Sequence, residues 1–423
     1  MRNMAVLPLA LRSLWARKIT AVLTVISIAA AVLLFVAVEN LRQGARTSFE
    51  RTITGTDVIV GARSSPINLV LYSVFQIGDP TYNVTWETYE EIKSRRDVAW
   101  VVPISLGDSH KGFRVIGTTE NYFQHYKYAD SQSLAFREGQ VFTDIFDVVL
   151  GAQVARELDY VLDSKITLAH GLGGTSFVNH DNLPFTVKGV LKPTGTPVDR
   201  SVIVKLEAIE AIHMGWKNGM PTPMSRRATS DRLREASLSP KSVTAMFVGA
   251  TSRVRSLGLQ RDLNTYEAEP LQAVIPGVAL SQLWNVVSVV ERALALVTGF
   301  VIGVGLIGIL TSILTSLNER RREMAILRAM GARGRHIVGL LVSEAALLAF
   351  IGSALGLTIL YVLLWVFRPY LEAGYNISAL RLSPGQFDMG VVIFVTVIAA
   401  ILGLIPALIA LKRSLSDGLT IRV

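Results

Sequence analysis

Four stretches of this chain run apolar residue after apolar residue with almost no polar break. Ile19–Val38, Ala293–Leu317 and Met389–Leu411 carry no charge, and Ile337–Phe367 carries one, Glu344. A helix rises 1.5 Å per residue, so about 20 apolar residues cross about 30 Å of hydrocarbon. Each stretch is long enough, and the pattern predicts four membrane helices. Arg17 and Lys18 ahead of the first run also suit a signal peptide. Its length and the lack of a small-x-small exit favour an uncleaved anchor.

Helical periodicity does not stop at the second span. Leu280, Leu283, Trp284, Val287 and Val290 hold one face up to Glu291 and Arg292, and no Gly or Pro lies between Val278 and Leu294. A helix from about residue 279 to 317 is about 58 Å long, more than the hydrocarbon requires. The second span is therefore expected to continue outward as a stalk. Residues 39–51 extend the first span likewise, although Gly44 weakens that expectation.

Between spans one and two the pattern is that of an α/β domain. Strands are expected at Asp57–Val60, Phe113–Ile116, Val148–Leu150, Phe185–Val187, Val202–Val204 and Ala245–Val248. Helices are expected at Trp86–Arg96 and Leu206–Met214. Residues 215–240, rich in Gly, Pro, Ser and Arg, read as a mobile loop. The expected fold class is an α-helical membrane protein with four transmembrane helices plus a large α/β periplasmic domain between helices 1 and 2. Its divisions are 1–40 (N-terminal segment and first span), 41–285 (periplasmic domain with stalk) and 286–423 (spans two to four).

Composition agrees. Half of the 423 residues are hydrophobic and 18% are charged, with mean hydropathy +0.42, too apolar for a soluble chain of this size. The 42 basic against 33 acidic residues give +9, but their placement argues for membrane topology and against nucleic acid. Arg2, Arg12, Arg17 and Lys18 precede the first span. Arg320, Arg321, Arg322, Arg328, Arg333 and Arg335 lie between spans two and three, and Lys412, Arg413 and Arg422 follow span four. The positive-inside rule puts both termini and the 318–336 loop in the cytoplasm. There is no cysteine, which removes disulfides and thiolate metal sites.

Residues 318–334 (Asn-Glu-Arg-Arg-Arg-Glu-Met-Ala-Ile-Leu-Arg-Ala-Met-Gly-Ala-Arg-Gly) form a short charged helix candidate between two spans. Met324, Leu327 and Met330 recur at helical spacing. Glu319, Arg320, Arg321, Arg322, Glu323 and Arg328 supply charge, and Gly331 and Gly334 supply a stop and a turn. An ordinary basic flank on anionic lipid accounts for the arginines. It leaves the apolar stripe and the glycine turn without a cause, whereas docking of a cytoplasmic partner accounts for all three.

This segment resembles the coupling loop of the MacB/FtsX-type ABC permease family. The region between spans one and two is similar to that family's periplasmic core domain at Gly55-Thr-Asp-Val-Ile-Val-Gly, Asp147-Val-Val-Leu-Gly-Ala-Gln-Val-Ala, Phe185-Thr-Val-Lys-Gly-Val-Leu and Pro193-Thr-Gly-Thr-Pro-Val-Asp. Asp159–Lys165 departs from it, because relatives commonly place a Gly-containing turn there. The resemblance implies an inner-membrane permease subunit that transmits ATPase-driven motion to its periplasmic domain, moving or releasing a periplasmic or membrane substrate. Its implied partners are a separate ABC ATPase, a second copy of the permease, the lipid bilayer, and a periplasmic adaptor or substrate-binding protein. Relatives that control cell-wall hydrolases, and lipoprotein-releasing relatives, supply the two alternative readings.

The chain contains no G-x-x-x-x-G-K-[ST] loop to cradle phosphates. It is therefore expected to bind no cofactor and to be no enzyme, with ATP and magnesium held in the partner ATPase. Gly299 and Gly303 in span two, and Gly352 and Gly356 in span three, have the spacing of close helix contacts. Pro406 is expected to kink span four. Glu344, an intramembrane acid, is expected to bond a loop arginine near the cytoplasmic interface. Five histidines, His110, His125, His170, His180 and His213, fall in the inter-span region. No H-x-H or H-E-x-x-H spacing occurs, so they are expected to be scattered, and no metal site is assigned; a role in metal homeostasis rests on these histidines alone.

The topology is checked by single thiols in this cysteine-free chain. A cysteine replacing Ser225 is expected to react with an impermeant maleimide from outside the inner membrane, and one replacing Ser316 only after the membrane is opened. Labelling of the Ser225 position solely from the cytoplasm would reverse the orientation.

Overall fold

The computed structural model describes residues 18–171, 178–179, 183–217, 220–222, 230–234, 238–319, 332–375 and 381–412. Four helices among them are long and apolar enough to cross a membrane: α1 (Lys18–Glu50), α2 (Pro276–Glu319), α3 (Gly334–Tyr375) and α4 (Gln386–Lys412). They contain the four apolar runs. With 44 residues, α2 is about 66 Å long. α1 continues without a break through Gly44, which is buried. The helix tolerates this glycine, because propensity is a weak term beside burial.

The chain divides into two compact units, one of Met1–Ala45, Ser288–Tyr370 and Ala379–Val423, the other of Arg46–Val287 and Leu371–Ser378. In the first, Ile28, Val32 and Val36 of α1, Ile309 and Ile313 of α2, Leu341, Ala345 and Ala349 of α3, and Val395 and Ala399 of α4 form one apolar core. Lipid tails are as apolar as these side chains, so closeness of packing has to hold the helices together. Gly352 and Gly356 provide it for α3 against α1. A Cβ on Gly352 would lie 2.8 Å from Ile28 Cβ, and one on Gly356 2.5 Å from the Ala29 carbonyl oxygen. Gly403 brings α4 within 3.0 Å of Ala345 by the same measure. Gly299 and Gly303 differ: nothing described lies within 4 Å of a Cβ placed on either, so this pair seals no seam within the described chain. Pro406 lies inside α4, which continues through it to Lys412.

The domain-side ends of these helices are tied by polar groups. The Tyr361 hydroxyl donates to Asp388 Oδ2 at 2.6 Å, and the Gly385 N–H donates to the same oxygen at 2.6 Å. Asp388 is the third residue of α4 and reaches back over the helix start, half of a capping box. Asn40 Nδ2 of α1 donates to the Tyr361 hydroxyl at 3.4 Å. Arg42 pairs with Glu39 at 2.6 Å on its own helix and with Glu291 of α2 at 3.4 Å.

The second unit is built on a mixed sheet. Its strands are β1 (Val58–Ala62), β2 (Val98–His110), β3 (Phe113–Thr118), β4 (Phe136–Gly139), β5 (Asp147–Leu150), β6 (Ala169–His170), β7 (Phe185–Leu191), β8 (Ser201–Lys205), β9 (Ala245–Ala250) and β10 (Leu271–Val274). The order is β10-β1-β9-β2-β3-β8-β5-β7-β4, with β6 on the far half of β2. β3/β8 and β5/β7 pair parallel, the remaining neighbours antiparallel. β1, β5 and β8 are buried almost throughout, as strands covered on both faces must be. Six strands fall where the pattern places them, and both expected helices are present, at Trp86–Ser94 and Leu206–His213.

β2, the longest strand, is not among the expected ones. Pro103 and Gly107 interrupt its pattern, and proline in a central strand removes a ladder bond. The fold absorbs this because β3 ends at Thr118 opposite Ile104, so Pro103 lies just past that pairing and its carbonyl accepts the Thr118 hydroxyl at 2.7 Å. Within the expected loop at 215–240, Trp216–Lys217 pairs with Met220–Pro221 and Ser230–Arg234 is helical. The turn over 159–165 is made without glycine. Asp159 and Asp163 take φ of 53° and 63°, a conformation Asp tolerates better than most residues, and Lys188 bonds Asp163 at 2.6 Å.

The helix seams give a direct test. Gly356→Ala is expected to destabilise the purified protein by about 1–3 kcal/mol, since the added methyl meets backbone that cannot swing away. Gly390→Ala, where nothing described lies within 4 Å of the added methyl, is expected not to destabilise the protein. Thermal unfolding in detergent reads both; equal effects would mean that Gly356 sits at no tight contact.

Candidate functional site

Three places in the fold bear on function. The first is the segment between α2 and α3. Arg320, Arg321, Arg322, Glu323, Met324, Leu327, Arg328, Met330 and Gly331 lie outside the described residues, while Glu319 is the last residue of α2. The flanks are described. Leu317 at the end of α2 and Ile337 at the start of α3 are each 2% exposed in one apolar core. A Cβ on Gly334 would lie 2.7 Å from Leu411 of α4, so α3 starts where only a glycine fits without displacing that leucine. The segment thus begins and ends on packed helix ends. Glu344, two turns into α3 beyond Ile337, is 5% exposed; of the loop arginines expected to pair with it, Arg320, Arg321, Arg322 and Arg328 lie outside the described residues.

The second place is where α1 ends and α2 begins, both within the inter-span domain. Phe49 packs against Phe75 with ring centres 4.5 Å apart and meets the Trp284 ring edge-on at 5.8 Å. The Arg46 guanidinium lies 6.0 Å from the Trp284 ring centre. Ala279 and Leu280 belong to the same apolar core as Ile59, Val102 and Phe247. The last turn of α1 and the first turns of α2 are therefore part of the domain's core, anchored by aromatic side chains of large buried area.

The third place gathers two of the histidines expected to be scattered. β6 pairs with β2 so that His170 stands opposite Asp108, and directly opposite residues bring their side chains together. Between Leu106 and Ser109 the β2/β3 register slips by one residue, with Gly107 at φ +152°. Such a bulge re-aims the neighbouring side chain. The third member, His213, closes the helix Leu206–His213. His170 Nδ1 is 3.2 Å from Asp108 Oδ1, His213 Nε2 is 3.4 Å from the same oxygen, and the two nitrogens are 3.0 Å apart. Trp216 packs against both rings at 5.2 and 5.4 Å. Asp108 is 2% exposed. Burial alone would raise its carboxyl, yet the two imidazoles hold it down at about 2. Burial works against charge on His213, and Asp108 outweighs it, so that imidazole is shifted upward.

The other external histidines are elsewhere. His110 donates from Nδ1 to the Thr167 carbonyl at 2.7 Å and meets the Tyr160 hydroxyl at 3.0 Å, and His125 stacks on Trp100 at 4.5 Å. His180 lies outside the described residues. Sequence spacing carried no sign of the Asp108–His170–His213 group, because its members come from three separate elements. The matched segment Pro193-Thr-Gly-Thr-Pro-Val-Asp proves structural: Asp199 accepts from Thr194 N and Gly195 N, both at 2.8 Å, closing the turn that packs against Gly151.

Comparison with known proteins places these features. Residues 19–257, more than half of the chain, match the model of the MacB-like periplasmic core domain. Residues 295–416 match that of the FtsX-like permease C-terminal. The macrolide export ATP-binding/permease protein MacB of Salmonella choleraesuis (strain SC-B67) is 34% identical over 110 residues, covering 23% of this chain and 17% of that protein. MacB of Campylobacter jejuni subsp. jejuni serotype O:23/36 is 26% identical over 190 residues, 44% of this chain and 26% of that protein. The chain thus spans well under a third of the length of these relatives. The periplasmic region of MacB from Actinobacillus actinomycetemcomitans covers 55% of this chain and 95% of its own length at 11% identity and a TM-score of 0.34, too remote to bear on the fold. With the core-domain model on the region between α1 and α2, and the permease model on the spans that follow, the chain is a multi-pass membrane protein of the MacB/FtsX-type ABC permease family, whose members work with ABC ATPase partners.

Proposed function

We infer that this chain is the permease subunit of an ABC transporter and carries ATPase-driven motion across the inner membrane to its periplasmic domain, which moves or releases a substrate already outside that membrane. The observation that carries this reading is the continuity of α1 and α2. Each is one unbroken helix from an apolar membrane run into the core of the inter-span domain. A hydrogen-bonded helix transmits axial and tilting displacement with little loss, whereas a loop at the membrane surface would absorb it. The apolar core between the spans also favours mechanical transmission over a polar substrate tunnel.

In this reading both termini and residues 318–336 are cytoplasmic. The ATPase, holding ATP and magnesium, docks on Glu319–Gly331 through Met324, Leu327 and Met330, with the surrounding arginines and acids setting orientation. ABC ATPases act as face-to-face pairs, so two permeases assemble with two ATPases. The outward-facing Gly299/Gly303 surface is available to the second copy, and a periplasmic adaptor or substrate-binding protein would meet the external domain.

Replacing Glu323 and Leu327 together with alanine is expected to weaken ATPase retention by more than about tenfold, because loss of a desolvated interface anchor commonly costs about 2 kcal/mol or more. Co-purification of the ATPase in mild detergent, read against the amount of folded permease, measures this. Undiminished retention would leave the segment a lipid-facing flank.

Transmission has its own test. Val286 of α2 is 65% exposed, so Val286→Pro removes little packing while breaking the helix at a cost of about 3 kcal/mol. ATP-dependent distance changes between spin labels on the two external domains are expected to disappear in this variant with ATP turnover retained. Unchanged distances would show that motion does not travel along α2.

A further inference from the structure

We propose that Asp108, His170 and His213 form a binding site for a borderline divalent metal ion, Zn2+ being the best fit, on the periplasmic domain. The argument begins with protons. His213 Nδ1 is 2.8 Å from the Ile209 carbonyl oxygen, which can only accept, so Nδ1 carries the hydrogen. In the neutral ring Nε2 then presents a lone pair, and it presents it to Asp108 Oδ1 at 3.4 Å and His170 Nδ1 at 3.0 Å. Three donor atoms thus converge on one point, while a proton on His170 Nδ1 serves only one of the contacts. A backbone carbonyl that holds one imidazole nitrogen and turns the other inward is the arrangement that orients metal-bound histidines.

Spacing supports the same occupant. Metal–ligand bonds of about 2.0–2.1 Å at the tetrahedral angle separate neighbouring donor atoms by about 3.3 Å. The three separations here are 3.0, 3.2 and 3.4 Å. Two imidazoles with one carboxylate and no thiolate suit Zn2+, and disfavour Ca2+ and Mg2+, which take oxygen ligands. The carboxylate is buried on the sheet side, whereas the His170 side chain is 41% exposed and that of His213 24%. An ion therefore has access to the three donor atoms from the side of the imidazoles. The surrounding backbone holds these side chains in place. The bulge at Gly107 turns Asp108 toward β6, and Ser109 Oγ donates to the Gly171 carbonyl at 2.6 Å, fixing the backbone next to His170.

The test uses the full chain, purified in detergent with a tag free of histidine and stripped with chelator. Zinc content after equilibrium dialysis is expected at one ion per chain. Titration with Co2+ is expected to give the visible bands of a tetrahedral centre without thiolate charge transfer. His170→Gln, His213→Gln and Asp108→Asn are each expected to weaken Zn2+ at least tenfold, and His125→Gln to leave it unchanged. X-ray absorption on the wild-type zinc form guards against misfolded variants, and is expected to show two imidazoles in an N/O shell. Wild-type protein that takes up no stoichiometric zinc would mean that a proton on His213 neutralises Asp108, and would overturn the proposal. So would variants that bind as the wild type does, or a shell without two imidazoles. None of these readouts depends on the ATPase, so the site and the permease reading stand or fall separately.

Discussion

Everything in this molecule hangs on the rule that backbone amides and carbonyls in hydrocarbon must find partners within their own segment. Helices meet that rule in the membrane. α1 and α2 also keep it where it no longer applies, running past the hydrocarbon and ending among the aromatic and aliphatic side chains of the external core. Phe49, Trp284, Ala279 and Leu280 are the points at which a membrane element becomes a domain element. Arg42 and Glu291 pair the two helices just beyond the ends of their charge-free apolar runs.

Inside the membrane unit the controlling constraint is contact distance. Gly352 and Gly356 let α3 rest on the backbone of α1, and Gly403 lets α4 rest on α3. Such seams are held by many small attractions, each of which loses a quarter to a half of its strength with a gap of about 0.5–1 Å. Tyr361 and Asp388 add a directional bond at the domain-side end, where an unpaired carboxylate would be costly to bury. The helices therefore have a fixed register with one another at that end, next to the Arg42–Glu291 pair.

The external domain shows a different economy of polar groups. Asp199 spends its carboxylate on turn N–H groups beside the matched Gly151 segment. Asp108 is equally buried and faces two imidazoles, not backbone donors. A structural turn requires the first arrangement. The second serves no turn, strand or cap, and that is why it stands out among the buried carboxylates of the sheet.

The sequence by itself determined the four spans, the stalk of α2, most of the strands and the family, because each is written in local hydrophobic periodicity or in contiguous motifs. Gly44 was a poor guide to where α1 ends, since helix propensity is a weak term beside burial. β2 escaped notice because Pro103 and Gly107 break its alternation, and only the end of β3 at Thr118 and the adjacent bulge make them admissible. Two glycine pairs of identical spacing, 299/303 and 352/356, differ solely in what faces them, which spacing cannot encode. Likewise Asp108, His170 and His213 are separated by 62 and 43 positions; their convergence is a matter of strand register, a bulge and the end of a helix, and those are settled only when the sheet closes.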